Sequence, residues 1–280
     1  QRGERARLTA VREGCALAGV LLAALLLVVG GPSALTVTFG GLLLVTAAVL
    51  WLRAPRHALT GETIAASPAK NHWLMPLAGR RFRWLFAVYA VNGIAAAIPA
   101  TLFLFFASDR LQLPQHASTF LLLYFGAAAL TLPLWSRLAG RIGEARAWLG
   151  AMVLSIAAFA WTAVLGAGDL VPFALVCVVT GAALGADLAL PPALLAGVIG
   201  DAGHAGAREG SHFGLWSWMT KMNLALAAGI SLPLLEWLGY VPGNADAAGL
   251  TALSAAYALL PCVLKTGAGI LLWKAPLRDV

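Results

Sequence analysis

The chain has 280 residues, of which 60% are hydrophobic and 11% are charged, and its mean hydropathy is +0.83. Soluble domains are closer to half apolar and a quarter charged, so the composition excludes an ordinary soluble fold. Apolar runs of about 18 or more residues recur along the whole chain, which predicts several transmembrane helices. We therefore expect an all-α polytopic membrane protein.

The apolar runs predict eight membrane spans, with boundaries good to a few residues. In chain order they cover residues 14–31, 33–52, 83–107, 117–137, 146–166, 171–198, 213–239 and 250–273. Pro and Gly mark several span ends, as at Gly31-Pro32 and Pro242-Gly243. Other prolines lie inside spans, where neighbouring helices satisfy the freed carbonyls; they are Pro99, Pro133, Pro191, Pro192 and Pro233.

The net charge of +7 is distributed between the loops in a way that predicts orientation. The basic residues occupy one set of alternate loops, whereas the opposite loops hold only Arg110. By the positive-inside rule, we expect both termini to be cytoplasmic. We also expect the membrane to be a bacterial-type inner (plasma) membrane. The charge thus reflects topology, with the lipid bilayer and not nucleic acid as the partner.

The chemistry-bearing motifs of membrane enzymes are absent from the sequence. It contains no DxxxD pair, no HxxxxD and no GxSxG, so we predict that the protein is not an enzyme. The three cysteines, Cys15, Cys177 and Cys262, have no metal-ligand spacing and read as small apolar residues. We expect neither a metal site nor a cofactor.

Few ionisable residues fall inside the predicted spans. They are Asp187, Lys221 and Lys265, with Glu236 near a span end. A charge at membrane depth costs several kcal/mol unless it is paired or faces water, so each is a candidate functional residue. Asp187 and Lys221 are one possible pair. The alternative for Lys221 is a structural ion pair that joins two helices.

Polar and aromatic residues surround Lys221. Trp218 lies three positions before it on the same helix face, and Thr220 and Asn223 are close by. A tryptophan beside a cation and an amide can stack on a sugar ring. Asn92 and Tyr124, in earlier spans, are further candidates for the lining of a polar cavity.

Three segments carry a resemblance to a known family. Residues 191–240 resemble the melibiose-permease-like glycoside–pentoside–hexuronide:cation symporters of the major facilitator superfamily, through Arg208-Glu209-Gly210, Phe213-Gly214, Lys221 and Gly239-Tyr240. The stretch "PLWSRLAGRIGEARAWLGAM" looks like the superfamily's Gly-and-Arg loop, with Gly140, Arg141 and Gly143 in the matching positions. The stretch "ERARLTAVREG" looks like the family's loop between its fourth and fifth helices.

The resemblance implies an architecture. The eight spans correspond to helices 5 to 12 of a twelve-helix bundle, and the sequence, which opens without Met, is expected to be truncated at its amino terminus. Residues 1–52 then hold the last two helices of the first half, 53–82 the central cytoplasmic loop, and 83–280 the six-helix second half.

The resemblance also implies a function, namely symport of a sugar or glycoside coupled to Na⁺ or H⁺ by alternating access. Lys221 matches the lysine that links cation occupancy to the conformational switch, and Arg12 matches a basic residue near the sugar. The implied substrate and coupling residues are Lys221, Trp218, Thr220, Asn223, Arg12, Asp187, Asn92 and Tyr124. The implied cytoplasmic gate comprises Gly140, Arg141, Gly143, Arg208 and Glu209.

Two features leave alternatives open. The family's acidic residues before the loop that follows its tenth helix are replaced here by Gly197-Val198-Ile199-Gly200. The early helices that supply the family's cation-binding carboxylates are not in this sequence. The chain is therefore either part of a symporter, a non-transporting fragment of one, or a carrier for another organic solute.

Overall fold

The computed structural model describes residues 2–53, 72–204, 209–243 and 246–277. Regular structure in these ranges is entirely helical. The helices are α1 (Arg2–Arg53), α2 (Arg80–Phe105), α3 (Ala117–Ile142), α4 (Glu144–Thr162), α5 (Leu170–Asp201), α6 (Glu209–Trp237), α7 (Ala247–Ser254) and α8 (Leu260–Lys274). A π-helical turn, Phe106–Arg110, continues α2, and a second, Ala255–Leu259, joins α7 to α8.

The first two predicted spans are the two arms of α1. Gly31 adopts φ 69° and ψ −172°, a left-handed conformation that glycine reaches without steric cost, and Pro32 follows it. The helix therefore kinks at Gly31, between residues 14–31 and 33–52 as the sequence predicts. The remaining six predicted spans correspond to α2 through α6 and to the continuous segment Ala247–Lys274.

Six helical segments in the described part of the chain are long and apolar enough to cross a membrane. They are Val29–Arg53, Arg80–Arg110, Pro114–Ile142, Glu144–Thr162, Leu170–Asp201 and Ala247–Lys274. The helix α6 has 29 residues but is not among them, because Lys221, Asn223 and Glu236 lower its hydropathy. In the first arm of α1 the apolar stretch, Ala18–Leu27, is shorter. The all-α polytopic fold is confirmed, while the membrane crossing of these last two segments stays a prediction.

Two glycines bring α3 and α5 into close contact. A Cβ atom at Gly181 would lie 2.1 Å from the Tyr124 carbonyl oxygen, and one at Gly185 would lie 2.6 Å from Thr131 Oγ1. Thr131 and Trp135 of α3 also donate hydrogen bonds to the Ala182 carbonyl, at 3.1 and 2.7 Å. Small residues at this i, i+4 spacing let membrane helices approach through their backbones.

The bundle has two distinguishable ends. The basic end carries Arg80, Arg81, Arg141 and Lys274. A 3₁₀ helix, His72–Ala78, packs there against α2 and α6. At the opposite end, Asp109 accepts hydrogen bonds from Tyr240 Oη (2.5 Å) and the Gly243 amide (2.9 Å). Burial, together with the Asp109 carboxylate, raises the pKa of Tyr240, so this phenol remains a donor. The contact fixes the end of α6 against the end of α2.

Candidate functional site

Four side chains from four helices meet inside the bundle and form what we call the polar cluster: Asn92 of α2, Trp148 of α4, Asp187 of α5 and Lys265 of α8. Asp187 Oδ1 accepts from Asn92 Nδ2 at 3.0 Å and from Trp148 Nε1 at 2.7 Å. Lys265 Nζ donates to Asp187 Oδ2 at 3.2 Å and to Asn92 Oδ1 at 2.9 Å. The cluster thus links two charges and two neutral polar groups in one network.

The ion pair of the polar cluster is shielded from solvent and lipid. The side chain of Lys265 is 3% exposed and that of Asp187 is 14% exposed. A buried ion pair persists only when further hydrogen bonds satisfy its remaining donors and acceptors, and here Asn92 and Trp148 supply them. Intramembrane charges in such networks mark functional sites by default.

The sequence suggested Lys221 as the partner of Asp187, and the structure corrects this. Asp187 pairs with Lys265, because α5 and α8 both turn these residues toward the centre of the bundle. Lys221 lies on the exposed side of α6 and makes no hydrogen bond or ion pair within the described ranges. The spacing of charges along a sequence does not specify how each helix is rotated, so the pairing was open to either lysine.

A cavity of about 210 Å³ adjoins the polar cluster. Asp187 and Lys265 lie at one end of it, and its wall extends from there along α2, α3, α4 and α5 toward the opposite end of the bundle. The lining is mainly apolar and aromatic, with hydroxyl groups from Tyr124, Ser155 and Thr180. The cavity therefore joins a charged end to an aromatic interior.

Aromatic rings pack around Phe120 and Tyr257, which line this cavity. Phe106 stacks on Tyr257 with centroids 4.2 Å apart and planes 10° apart, and Phe120 meets Phe173 edge-on at 4.8 Å. Phe106 and Tyr257 each belong to one of the two π-helical turns. Such turns occur frequently at functional sites because they redirect side chains that a regular helix would point elsewhere. Here both turns direct an aromatic ring into the same layer.

The residues predicted around Lys221 divide between two faces of α6. Lys221, Trp218 and Thr220 are exposed, with Trp218 at 50%. Tyr89 of α2 holds Thr220 through a 2.8 Å hydrogen bond between their hydroxyls and stacks on Trp216 with centroids 3.7 Å apart. We call Trp218 and Lys221 the open face of α6, whereas Thr220, although exposed, lies toward α2.

Asn223 lies on the other face of α6 and is buried against α2. A Cβ atom at Gly93 would lie 1.9 Å from Asn223 Nδ2, so only glycine fits at that position of α2. The Oδ1 atom of Asn223 is buried and has no hydrogen-bond partner in the described structure. Asn223 therefore belongs to the α2–α6 contact and not to the open face with Lys221.

The predicted gate residues lie at the basic end, where the structure describes them. Gly143 has φ 90° and forms the whole connection between α3 and α4, so the tight turn requires glycine. Gly140 and Arg141 are exposed in the last turn of α3, and Glu209 begins α6. Arg208 lies outside the described residues. Arg12 lies in α1, but its side chain is outside the described part.

An ion pair at the basic end was not in the predicted site. Arg81 Nη1 and Asp201 Oδ2 are 2.5 Å apart and join the start of α2 to the end of α5. Both side chains are partly exposed, at 43% and 47%, so solvent weakens the pair. It lies at the end where the resemblance implies a gate.

Two residues of the polar cluster, Lys265 and Trp148, were not among the predicted substrate and coupling residues, although Lys265 was noted as a charge inside a span. The sequence pointed to Lys265, because it is a lysine inside an apolar span, as Lys221 is. Trp148 had none, because a tryptophan near a span end is ordinarily an interfacial residue. Its function in the network depends on its position beside Asp187, which only the packing of α4 on α5 provides.

Comparison with known proteins gives one finding about identity. No curated protein matches the chain. The family model described as MFS/sugar transport protein matches residues 1–279, which is nearly the whole chain. With its helical bundle and its charged groups at membrane depth, the chain belongs to this family of the major facilitator superfamily.

Proposed function

We propose that the protein functions in cation-coupled symport of a sugar or glycoside, by alternating access and with Na⁺ or H⁺ as the coupling ion. Membership of the MFS/sugar transport protein family supports a transporter that carries a small molecule across the bilayer. The observation that carries the finer proposal is the open face of α6, where Lys221, which has no ion-pair partner among the described residues, lies beside Trp218. A carrier needs such a group to be available to solute or to a coupling carboxylate.

In this proposal Lys221 is the coupling residue. Its ammonium group makes no ion pair within the described ranges, so it is available to carboxylates on another part of the carrier. When the coupling cation leaves those carboxylates, the ammonium group takes its place, and cation occupancy is thereby linked to the conformational switch. Trp218, on the same face, is placed to stack on a sugar ring. The basic end, with Arg81 and Asp201, is cytoplasmic and forms part of the gate.

A second candidate function follows from the cavity beside the polar cluster. Its lining of apolar and aromatic residues suits a solute less polar than a sugar. A carrier of another organic solute would use this cavity as its main binding site, and Lys221 would then contribute little to binding.

Uptake measurements on the intact protein test the proposal. We expect Lys221→Gln to abolish accumulation of a labelled glycoside driven by a Na⁺ or H⁺ gradient, because an amide cannot replace a cation. Lys274→Gln is the matched control, since Lys274 is an exposed lysine in the last turn of α8. Both variants should reach the membrane in normal amounts.

The outcomes separate the candidates. Loss of gradient-driven uptake in Lys221→Gln alone supports coupling through Lys221. Full accumulation by this variant removes Lys221 from the mechanism. A carrier that accumulates no glycoside under either gradient, yet moves a less polar solute, supports the second candidate.

A further inference from the structure

The cavity beside the polar cluster is separate from the open face of α6. Its lining comes from α2, α3, α4, α5, the second π-helical turn and α8, and includes no residue of α6. Neither Lys221 nor Trp218 borders it. A ligand in this cavity therefore has a different environment from a solute bound at Lys221, and its chemistry is set by different residues.

The charged end of the cavity selects for a neutral group that both donates and accepts hydrogen bonds. Asp187 and Lys265 neutralise each other, so an ionised ligand would leave a net charge in the bundle. An ammonium has three N–H donors, and Lys265 uses two of them, on Asn92 and Asp187. The carboxylate has about four acceptor sites, and Asp187 uses three. One donor and one acceptor thus remain, and a hydroxyl group satisfies both.

The rest of the wall selects for an apolar ring. Phe103, Phe120, Phe159 and Tyr257 line it, with Val176 and Leu184 between them. An apolar cavity of about 150 Å³ binds benzene, so about 210 Å³ holds a ring with a short substituent. The wall also offers the hydroxyls of Tyr124, Ser155 and Thr180. A sugar would still bring hydroxyls against the phenylalanine rings, and a buried hydroxyl without a partner is costly.

We propose that this cavity is a binding site for a neutral aromatic alcohol, with its hydroxyl at Asp187 and Lys265 and its ring among the phenylalanines. The site lies wholly within the helical bundle from α2 to α8. The proposal does not rest on the role assigned to Lys221, because none of the lining residues lies on α6. Two of them, Asp187 and Tyr124, are among the residues that the family resemblance implies for solute and coupling ion.

The experiment measures binding of 4-fluorobenzyl alcohol to the intact protein in lipid nanodiscs by fluorine NMR, with empty nanodiscs as the baseline for partition into lipid. We expect protein-dependent line broadening of the alcohol signal. Ala100→Trp should abolish it, because Ala100 lines the cavity and a tryptophan there should take up the space of the ligand ring. Leu104→Trp is the matched control, since Leu104 is exposed one turn further along α2 and does not line the cavity.

The contribution of the polar end is tested with 4-fluorotoluene, which has the same ring and no hydroxyl. The native protein should bind the alcohol at least about tenfold more tightly, as expected for hydrogen bonds to charged groups. The double variant Asp187→Asn/Lys265→Met removes both charges, so that no buried charge lacks a partner. This variant should bind the alcohol and 4-fluorotoluene with about equal affinity.

Three results would overturn the proposal. One is the absence of protein-dependent broadening for the alcohol, and another is broadening that persists in Ala100→Trp. The third is equal binding of the alcohol and 4-fluorotoluene by the native protein, which would indicate an unselective apolar void that lipid chains fill equally well.

Discussion

Two lysines lie well inside long helices of this protein, Lys265 in α8 and Lys221 in α6, and their surroundings are opposite. Lys265 is 2% exposed and donates to Asn92 and Asp187, so its charge is compensated within the bundle. Lys221 is exposed on α6 and has no such partner in the described part of the chain. The same residue type is therefore compensated by buried partners in one place and exposed in the other.

The difference has a physical cause in the neighbouring helices. The helix α8 packs between α2 and α4, so a residue on its inner side meets groups from several helices. The helix α6 packs chiefly on α2 and leaves its far side open. A charge at membrane depth is tolerated when it is paired or when it faces water or another part of the carrier. Lys265 satisfies the first condition, and the proposed function assigns the second to Lys221.

The largest expected effect is on stability when the buried lysine alone is changed. Lys265→Met leaves the Asp187 carboxylate buried without its cation, which should lower the free energy of unfolding by about 3–5 kcal/mol. The matched change Lys221→Met should alter it by less than about 0.5 kcal/mol, as for other surface substitutions. Titration with a denaturing detergent measures both.

A double variant separates the loss of the charge pair from the loss of packing. Asp187→Asn/Lys265→Met should recover most of the stability that Lys265→Met loses, because no buried charge then lacks a partner. If Lys265→Met and Lys221→Met destabilise the protein equally, the contrast between the two lysines is not one of charge compensation.

The next effect concerns Trp148, the fourth member of the polar cluster. Trp148→Phe keeps an aromatic ring but removes the indole N–H that donates to Asp187 at 2.7 Å. Loss of a hydrogen bond to a charged group should cost about 1.5–3 kcal/mol of unfolding free energy. Trp161→Phe, in the same helix at an exposed position, is the control and should have little effect. Equal losses in the two variants would indicate that the indole N–H contributes nothing specific.

A third effect tests how α6 is held. Gly93→Ala places a methyl group against the Asn223 amide, since a Cβ atom there would lie 1.9 Å from Nδ2. Overpacking of this kind should cost about 1–3 kcal/mol, and the added change Asn223→Ala should relieve it. Gly126→Ala, where a Cβ atom meets nothing within 4 Å, is the neutral control. Failure of Asn223→Ala to rescue would mean that the two residues are not in contact.

Much of this fold was predictable, because hydrophobic runs and helix breakers are local features. The prediction of 171–198 matches α5, Leu170–Asp201, to within three residues. The prediction for α3 ended at 137, whereas the helix continues to Ile142. A basic residue marks where a chain leaves the lipid, but the helix itself continues until Gly143 breaks it. Helix ends and membrane boundaries are therefore different quantities.

The site was less predictable, because it depends on helix rotation and packing order. Asp187, Asn92 and Tyr124 were found from polarity at membrane depth, and the structure brings all three to the cavity region. The choice between Lys221 and Lys265 as the partner of Asp187 required the tertiary contacts of α8. The two π-helical turns that aim Phe106 and Tyr257 at each other carry no sequence signal that we recognise.

The smallest expected effect concerns Thr220, which precedes Lys221 on α6 and contacts α2. Tyr89→Phe removes the phenol that bonds Thr220 at 2.8 Å and leaves the ring stacked on Trp216. A neutral hydrogen bond is worth about 0.5–1.5 kcal/mol, so stability should fall by that amount at most. Glycoside uptake should fall further, because Thr220 and Lys221 are adjacent and their orientation depends on this contact. If glycoside uptake falls only by the same fraction as the free energy of unfolding, Tyr89 contributes to packing and not to uptake.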